Sequence, residues 1–268
     1  MYQMNTATPA EQDADGFRRP PLALLAAELP RAGVERAIMA SLRPLLDRAP
    51  HGDGHPVIVL PGYIASDKST RYLRQFLRSR GYHVHGWRLG SNMGPTDRIL
   101  TGLEARFAEL SERHGQKCSL IGWSLGGIFA RQIAVDKPHA VRQVITLGAP
   151  FRLTHPTQSY GGLLYQATSF SHSRDVDSVR DLRLPPTPLS VPSTAIYSRS
   201  DGAVSGLACQ DGQGPDRESI EVVGSHCGLG HNPAVLAVVA NRLALPEGQW
   251  APFAGTPLAR TLRMHRAA

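Results

Sequence analysis

Short apolar runs alternate with longer amphipathic stretches along most of the chain from residue 56 onward. The runs are five or six residues long and mostly β-branched, and turn residues follow several of them, which is typical of strands buried on both faces. The six predicted strands are PVIVL (56–60), YHVHGW (82–87), CSLIG (118–122), QVITLG (143–148), STAIYS (193–198) and SIEVV (219–223).

Apolar positions at helical spacing fill the intervals between these runs. Asp67 or Ser69 is the expected cap of the first helix, and Asn232 caps the last one with a proline at its first helical position. The predicted helices cover residues 71–80, 97–114 and 125–135, with the last starting at Pro233. Alternating strands and helices indicate an α/β fold with a mainly parallel six-stranded sheet and helices on both faces.

Two segments depart from this rhythm. Residues 21–48 carry apolar side chains at mixed helical spacing, interrupted by Pro30 and Gly33, which predicts two short amphipathic helices packed on the core. A hydrophobic cover over a cleft, or an interfacial membrane contact, is the alternative for this segment. Residues 151–192 have no clean period, and a cap insertion and an irregular excursion with one or two short helices fit them equally.

The pattern therefore divides the chain into three parts. We expect an N-terminal helical extension over 1–50, a main α/β domain over 51–250 that contains the short cap region, and a basic tail over 251–268. The chain has 268 residues, of which 41% are hydrophobic and 19% charged, which excludes wholesale disorder and suits one large domain.

Charge and cysteine content narrow the functional classes. The formal net charge of +7 comes almost entirely from scattered arginines and no nucleic-acid-binding module is recognisable, so we expect no nucleic-acid partner. The start of the chain is polar and acidic, which predicts a cytoplasmic protein, with a secreted or membrane-associated form left open. The sequence contains no CxxC pair, so it does not predict a zinc site. A disulfide bridge between Cys209 and Cys227 is left open.

The sharpest chemical motif is Gly-Trp-Ser-Leu-Gly over residues 122–126, between a predicted strand and a predicted helix. A strand that turns directly into a helix holds the central Ser124 in a strained conformation, with its hydroxyl at the carboxyl edge of the sheet. Small residues two positions before and after it are needed because strand and helix approach closely there. Ser124 is therefore the candidate nucleophile.

A serine hydroxyl needs a base to remove its proton, and the base needs a carboxylate to orient it. Asp201 follows the fifth strand and His226 follows the sixth, so serine, acid and base each come just after a strand, in the order that this mechanism requires. The rivals of these two residues are Asp175, Asp177 and Asp211 for the acid, and His231 for the base.

The tetrahedral intermediate of acyl transfer needs two N–H donors for its oxyanion. One is the amide of Leu125. The other lies in the loop after the first strand at Gly62, Tyr63 or Ile64, and we choose Tyr63 because Gly62 lets the chain turn its next amide inward. Four aromatic residues are predicted to line an acyl pocket, although Trp123 is equally suited to packing beneath the serine turn; they are Trp87, Trp123, Phe151 and Tyr160.

Residues 56–245 resemble the α/β-hydrolase superfamily, and within it the lipase-like serine esterases. The resemblance is carried by LPGY (60–63), GWSLGG (122–127), ITLGAP (145–150), YSRSDGAV (197–204) and GSHCGLGHNP (224–233). It implies that Ser124 is the nucleophile, Asp201 the triad acid and His226 the base, with Tyr63 and Leu125 as oxyanion donors.

The resemblance also implies a reaction. We expect hydrolysis of small-molecule or lipid carboxylic esters through an acyl-enzyme, without cofactor or metal. An acyltransferase or thioesterase with the same triad, and a non-catalytic binding module on this fold, are the alternatives. Many members have His-Gly where this chain has Pro61-Gly62, which leaves the first oxyanion donor less defined.

Overall fold

Six parallel strands form the body of the sheet, in the order β2-β1-β3-β4-β5-β6. A computed structural model describes residues 17–153, 155–169, 188–255 and 265–266. The strands are β1 Pro56–Leu60, β2 His83–Gly86, β3 Cys118–Trp123, β4 Val141–Leu147, β5 Ser193–Tyr197 and β6 Arg217–Glu221. The predicted six-stranded, mainly parallel sheet is confirmed. A further two-residue strand, β7 His265–Arg266, pairs antiparallel with β6 and was not predicted.

Helices connect successive strands and precede the first one. They are α1 Leu22–Ala26, α2 Glu28–Ser41, α3 Arg43–Leu46, α4 Arg71–Ser79, α5 Asp97–His114, α6 Leu125–Asp136, α7 Tyr160–Ser169 and α8 Pro233–Leu243. The side chain of Asn232 accepts the amides of Ala234 and Val235, as expected of the α8 cap.

Two local predictions need correction. Pro30 and Gly33 do not interrupt the N-terminal segment, because Pro30 occupies the first turn of α2, where a helix leaves its N–H groups unpaired. The segment forms three helices instead of two. Neither Asp67 nor Ser69 caps α4, which starts after Thr70 without a side-chain cap. Instead, Asp67 accepts the amides of residues 87 and 88 and so orders the loop after β2.

Both faces of the sheet are covered by helices. In β1, Val57 and Val59 face a core shared with α4 and α8, whereas Ile58 and Leu60 face a second core shared with α5 and α6. This arrangement explains why strand β1 is a continuous apolar run without alternation. Within the described ranges, none of the helices has the length and apolar character that crossing a membrane requires.

The direction of the chain reverses around β1, which lies between β2 and β3. The loops that leave the carboxyl ends of β1 and β3 therefore diverge and open a crevice between them. Such a switch point is the usual ligand site of an open parallel sheet. The loop at residues 61–65 and the turn at Ser124 both lie there.

Close packing makes glycine necessary on both sides of this turn, because Gly122 of β3 lies against α6 and Gly126 of α6 lies against the end of β1. A Cβ atom added to Gly126 would lie 2.4 Å from the Leu60 carbonyl oxygen. We expect Gly126→Ala to lower the free energy of unfolding by about 1–3 kcal/mol through overpacking. The same change at Gly33, where α2 leaves open space, is expected to stabilise the protein by about 0.4–1 kcal/mol. Urea unfolding measures both, and equal effects at the two positions would contradict the close approach.

Candidate active site

Ser124 adopts a strained backbone conformation at the junction of β3 and α6, with φ +52° and ψ −122°. This region is sparsely populated by residues other than glycine and costs on the order of 1–3 kcal/mol. Two hydrogen bonds hold it: the Ser124 amide donates to the Leu147 carbonyl at 2.8 Å, and its own carbonyl accepts the Gly127 amide at 2.8 Å. The predicted turn conformation is thus present at Ser124.

Asp201 and His226 meet at the same edge of the sheet. The Nδ1 atom of His226 lies 2.6 Å from Oδ2 of Asp201. The other carboxylate oxygen accepts the amides of Ala203 and Val204, each at 2.8 Å, and the residue is 2% exposed. Because Asp201 Oδ2 accepts this bond, Nδ1 carries a proton, and in the neutral imidazole Nε2 keeps its lone pair.

Contacts through shared neighbours join this pair to the serine turn. The indole Nε1 of Trp123, the residue before the serine, donates to the His226 carbonyl oxygen at 3.1 Å. Gly148 directly follows Leu147, whose carbonyl accepts the Ser124 amide. A Cβ atom on Gly148 would lie 3.2 Å from His226 Nδ1, so this glycine lies between the serine turn and the histidine. Loops after four consecutive strands, β3 to β6, therefore converge as the order of the three candidate residues predicts.

The electrostatic surroundings of His226 favour its protonated form. Burial alone would lower the pKa of the imidazole, but the charge and hydrogen bond of Asp201, with a further contribution from Glu28, outweigh it and raise that pKa above 6.5. A histidine with a raised pKa accepts a proton readily, which suits a general base.

The rival residues are engaged elsewhere. Asp211 accepts two hydrogen bonds from the buried Arg131, at 2.7 and 3.2 Å, and one from Ser193. His231 donates from Nε2 to the Ala32 carbonyl oxygen at 2.9 Å. Asp175 and Asp177 lie outside the described residues.

The loop after β1 is held by Asn92, a buried residue that sequence reasoning did not single out. Its Nδ2 donates to the Pro61 carbonyl at 2.8 Å, and its backbone carbonyl accepts the Ile64 amide at 2.7 Å. Ile64 has a positive φ of 54°. Because the Ile64 amide is already bound, Gly62 and Tyr63 are the remaining candidates for the oxyanion donor in this loop. A Cβ atom on Gly62 would lie 3.9 Å from Ser124 Oγ, so the loop passes close to the serine.

A cavity of about 270 Å³ opens beside Ser124. Part of its wall comes from α7 and the turn before it, between β4 and β5. The Tyr63 hydroxyl joins this wall to the loop after β1 through a 2.5 Å hydrogen bond with Thr168 Oγ1. The lining residues are Tyr63, Pro95, Ser124, Leu125, Ile128, Pro150, Leu153, His155, Pro156, Ser159, Gly161, Gly162, Tyr165 and Val204.

None of the four aromatic residues predicted to line an acyl pocket belongs to the described wall of this cavity. Trp87 is fully buried in the core between the sheet and α5, and its indole donates to the Gly90 carbonyl. Trp123 packs against Gly230 in the core shared with α4 and α8, Phe151 lies under the Arg131 guanidinium at 4.0 Å, and Tyr160 lies 5.7 Å from the Arg19 guanidinium. Tyr63 and Tyr165 are the aromatic lining residues instead.

The described residues contain neither a disulfide nor a cluster of potential metal ligands. Cys209 and Cys227 are both free thiols, so the bridge left open by the sequence is not formed. Across the part of the chain that the structure describes, no group of three potential ligands is arranged to hold a metal ion.

A second serine–histidine–aspartate arrangement occurs at the opposite end of the sheet. His55 Nδ1 lies 2.5 Å from Asp53 Oδ1, and its Nε2 lies 2.8 Å from Ser119 Oγ. Ser119 is 0% exposed, however, and lies within strand β3 with no turn beside it. A substrate carbonyl cannot reach this hydroxyl, so the trio is structural.

Comparisons with known proteins agree with this fold. No family model matches the chain. Triacylglycerol lipases of Pseudarthrobacter phenanthrenivorans and Burkholderia plantarii are each 28% identical over 189 residues, 59% of this chain, but the match spans only 58% and 52% of their lengths. The crystal structure of Aspergillus fumigatus lipase B superposes with a TM-score of 0.56 at 17% identity, over 78% of this chain and 56% of that one.

The chain has the α/β-hydrolase fold. The resemblance to lipase-like members of this superfamily, which the sequence motifs indicate, is confirmed by the same comparisons. In this fold, Ser124 stands at the turn between strand and helix, and Asp201 and His226 stand on the loops after β5 and β6.

The support that Asn92 gives to the loop after β1 is directly testable. Asn92→Ala leaves the buried Pro61 carbonyl without its side-chain donor and the Gly94 amide without its acceptor. We expect the free energy of unfolding to fall by about 1–3 kcal/mol and amide exchange at Ile64 to accelerate. Urea unfolding and hydrogen exchange measure these changes, with peptides from α5 as the internal control. Unchanged exchange at Ile64 would show that the backbone alone holds the loop.

Proposed function

We propose that this protein is a serine hydrolase that cleaves carboxylic esters through an acyl-enzyme. The observation that carries the proposal is the hydrogen bond between the buried Asp201 and the partly buried His226, beside the strained turn that presents Ser124. Similarity to lipases and esterases supports a hydrolase at a coarse level. The individual roles of the three residues are our inference from their geometry.

In the first half of the reaction, Ser124 Oγ attacks the acyl carbon while His226 Nε2 takes the hydroxyl proton. Asp201 keeps the imidazole in the correct tautomer and stabilises the imidazolium. The amide of Leu125, unpaired at the start of α6, and that of Tyr63 donate to the oxyanion. The C–O bond then breaks, and the leaving alcohol takes the proton from His226.

In the second half, water attacks the acyl-enzyme. His226 takes one proton from this water and returns it to Ser124 Oγ as the acyl–enzyme bond breaks, which releases a carboxylic acid and restores the enzyme. Atoms balance as one ester plus one water giving one alcohol plus one acid. The strained conformation at Ser124 is stored in the fold, so no rearrangement of the nucleophile is needed during turnover.

The cavity suggests the substrate class. Its volume of about 270 Å³ lies near the lower end of small-molecule pockets, which start at about 300 Å³. Its wall is largely apolar, with Leu125, Ile128, Leu153 and Val204 beside the serine. We therefore propose an uncharged ester with a short or medium acyl chain as substrate.

The first test asks whether Ser124 or Ser119 is the nucleophile, since a histidine–aspartate pair lies near each of them. Ser124→Ala is expected to lower kcat for p-nitrophenyl butyrate by a factor on the order of 10⁴ or more, because the nucleophile is lost. A fluorophosphonate is expected to label the wild-type protein at Ser124. Ser119→Ala is the matched control and should retain both labelling and turnover per folded molecule.

Two results would count against this assignment. Labelling that persists in Ser124→Ala, or turnover within a few-fold of wild type, would exclude Ser124 as the nucleophile. Product analysis with an added alcohol or thiol separates hydrolysis from acyl transfer: a dominant transesterification product would make the protein an acyltransferase with the same acyl-enzyme.

The second test concerns acyl length. We expect kcat/KM to be highest for p-nitrophenyl butyrate or octanoate and to fall sharply for palmitate, because the cavity cannot bury a long chain. A series of these esters, assayed with and without an oil–water interface, measures the preference. A rate that increases through palmitate, or that depends on the interface, would show that the acyl chain does not bind in this cavity.

A further inference from the structure

Helix α2 lies before the first strand, yet it faces the loops that carry Asp201 and His226. Glu28 and Glu35 are seven positions apart and therefore lie on the same side of the helix. Both are buried, at 4% and 9% exposure. Two carboxylates buried on one face of a helix are unusual, because removing an ionised group from water carries a large free-energy cost.

The carboxylate of Glu28 links the acid loop to the base loop. Its Oε1 accepts the amide of Gly202 at 2.7 Å, and its Oε2 accepts the amide of Cys227 at 2.8 Å. Gly202 directly follows Asp201, and Cys227 directly follows His226. One side chain of α2 therefore binds the residues next to both members of the acid–base pair.

Further contacts of the same helix face act on the same two loops. Glu35 accepts the amide of Ser225, which precedes His226, at 2.6 Å and the side-chain amide of Asn232 at 3.0 Å. Arg31 donates to the carbonyl and the hydroxyl of Ser200, which precedes Asp201, at 2.6 and 2.9 Å. The backbone on both sides of each of the two residues is therefore bound by α2.

Glycines allow this close approach. A Cβ atom on Gly202 would lie 2.4 Å from the Leu24 carbonyl oxygen, and one on Gly228 would lie 2.1 Å from Glu35 Oε2. Both loops thus carry a residue without a side chain where the N-terminal helices touch them. Loop and helix fit each other at these two points.

General stabilisation does not explain this interface. Apolar side chains of α2 point to solvent, with Leu29 76% exposed and Val34 60% exposed, while the buried positions are Glu28, Ala32 and Glu35. A helix that only covered the core would present the opposite polarity. Its buried carboxylates instead accept hydrogen bonds from particular backbone amides of the two loops. Such bonds fix the distance and orientation of the loops relative to α2, and they bury little apolar surface.

We infer that Glu28 and Glu35 are positioning residues, and that α2 holds the loops after β5 and β6 at the separation that the hydrogen bond between Asp201 and His226 requires. This inference rests on the proposed function, because it assigns a role in turnover. Glu28 acts through the two loops and touches no substrate.

The charge of Glu28 adds an effect that a purely structural contact would lack. The charged groups that act on His226 are Asp201 and Glu28. Arg31 lies 3.9 Å from Glu28, and Glu35 accepts the amide of Ser225, the residue before His226. The neighbouring Cys227 thiol is neutral, because burial and Glu28 raise its pKa to about 12. Removing the Glu28 charge therefore lowers the pKa of His226. Since the base acts when neutral, the acid limb of the pH–rate profile moves to lower pH.

The experiment compares Glu28→Gln and Glu28→Ala with wild type and with Glu112→Gln, a matched change at an exposed position of α5. Glutamine keeps the size and one acceptor but loses the charge and the second acceptor. We expect kcat to fall roughly 10- to 100-fold in Glu28→Ala, as small misplacements of catalytic groups do, and by less in Glu28→Gln, with KM nearly unchanged. In Glu28→Gln the acid limb should also shift downward.

Two further measurements keep the result interpretable. Fluorophosphonate titration counts reactive enzyme, so kcat is expressed per functional serine even where a variant is partly unfolded. Hydrogen exchange at Gly202 and Cys227 reports the two amides directly and should accelerate in both Glu28 variants, while exchange in α5 stays as in wild type.

The outcomes separate the two proposals. If wild-type Ser124 is not labelled, the proposed function fails and the positioning role fails with it. If wild type is labelled but Glu28→Gln matches Glu112→Gln in kcat per labelled serine and in its pH profile, the positioning role is overturned and the proposed function stands. A decrease in thermal stability alone, with wild-type turnover per labelled serine, also overturns it.

Discussion

The hydrogen bond between Asp201 and His226 depends on two irregular loops keeping a fixed separation. A strand or helix holds its own geometry through repeated backbone bonds, whereas a loop has to be held from outside. Here the amides of Ala203 and Val204 fix the carboxylate, the Trp123 indole fixes the backbone at His226, and α2 binds the residues on either side of both. The candidate site is therefore a property of several packed elements, and the nucleophile turn alone does not define it.

The trio of Asp53, His55 and Ser119 shows what hydrogen-bond geometry leaves undecided. Its distances match those expected of a catalytic arrangement, and its histidine is also buried. It differs in surroundings: burial lowers the pKa of His55 despite Asp53, whereas the charges near His226 raise the pKa of that residue. Only Ser124 combines a strained turn, a helix N-terminus and an adjoining cavity. The histidine–aspartate distances of 2.5 and 2.6 Å are nearly equal, so access and electrostatics are what distinguish the two sites.

The parts of this protein that sequence reasoning predicted are those that local patterns determine. Strand β1 is a continuous apolar run, and Ser124, Asp201 and His226 each come within a few residues of a strand end, so the parallel sheet brings their loops to one edge. The residues of the cavity wall were not predicted, because the path of residues 155–165 depends on tertiary contacts that leave no period in the sequence. Trp87 illustrates the difficulty: a position in the loops suggested that it lines a pocket, but its ring lies in the core.

Helix α2 shows a further limit of pattern reasoning. Amphipathic periodicity assigns charged residues to solvent and apolar residues to the core, and in α2 this assignment is reversed at Glu28, Leu29 and Glu35. Such a reversal marks a place where polar contacts with a defined geometry have outweighed burial of apolar surface. The division of the chain at residue 50 follows composition and spacing, yet the hydrogen bonds of Glu28 cross it to the residues beside Asp201 and His226. Physically, the candidate active site therefore extends into the N-terminal helices.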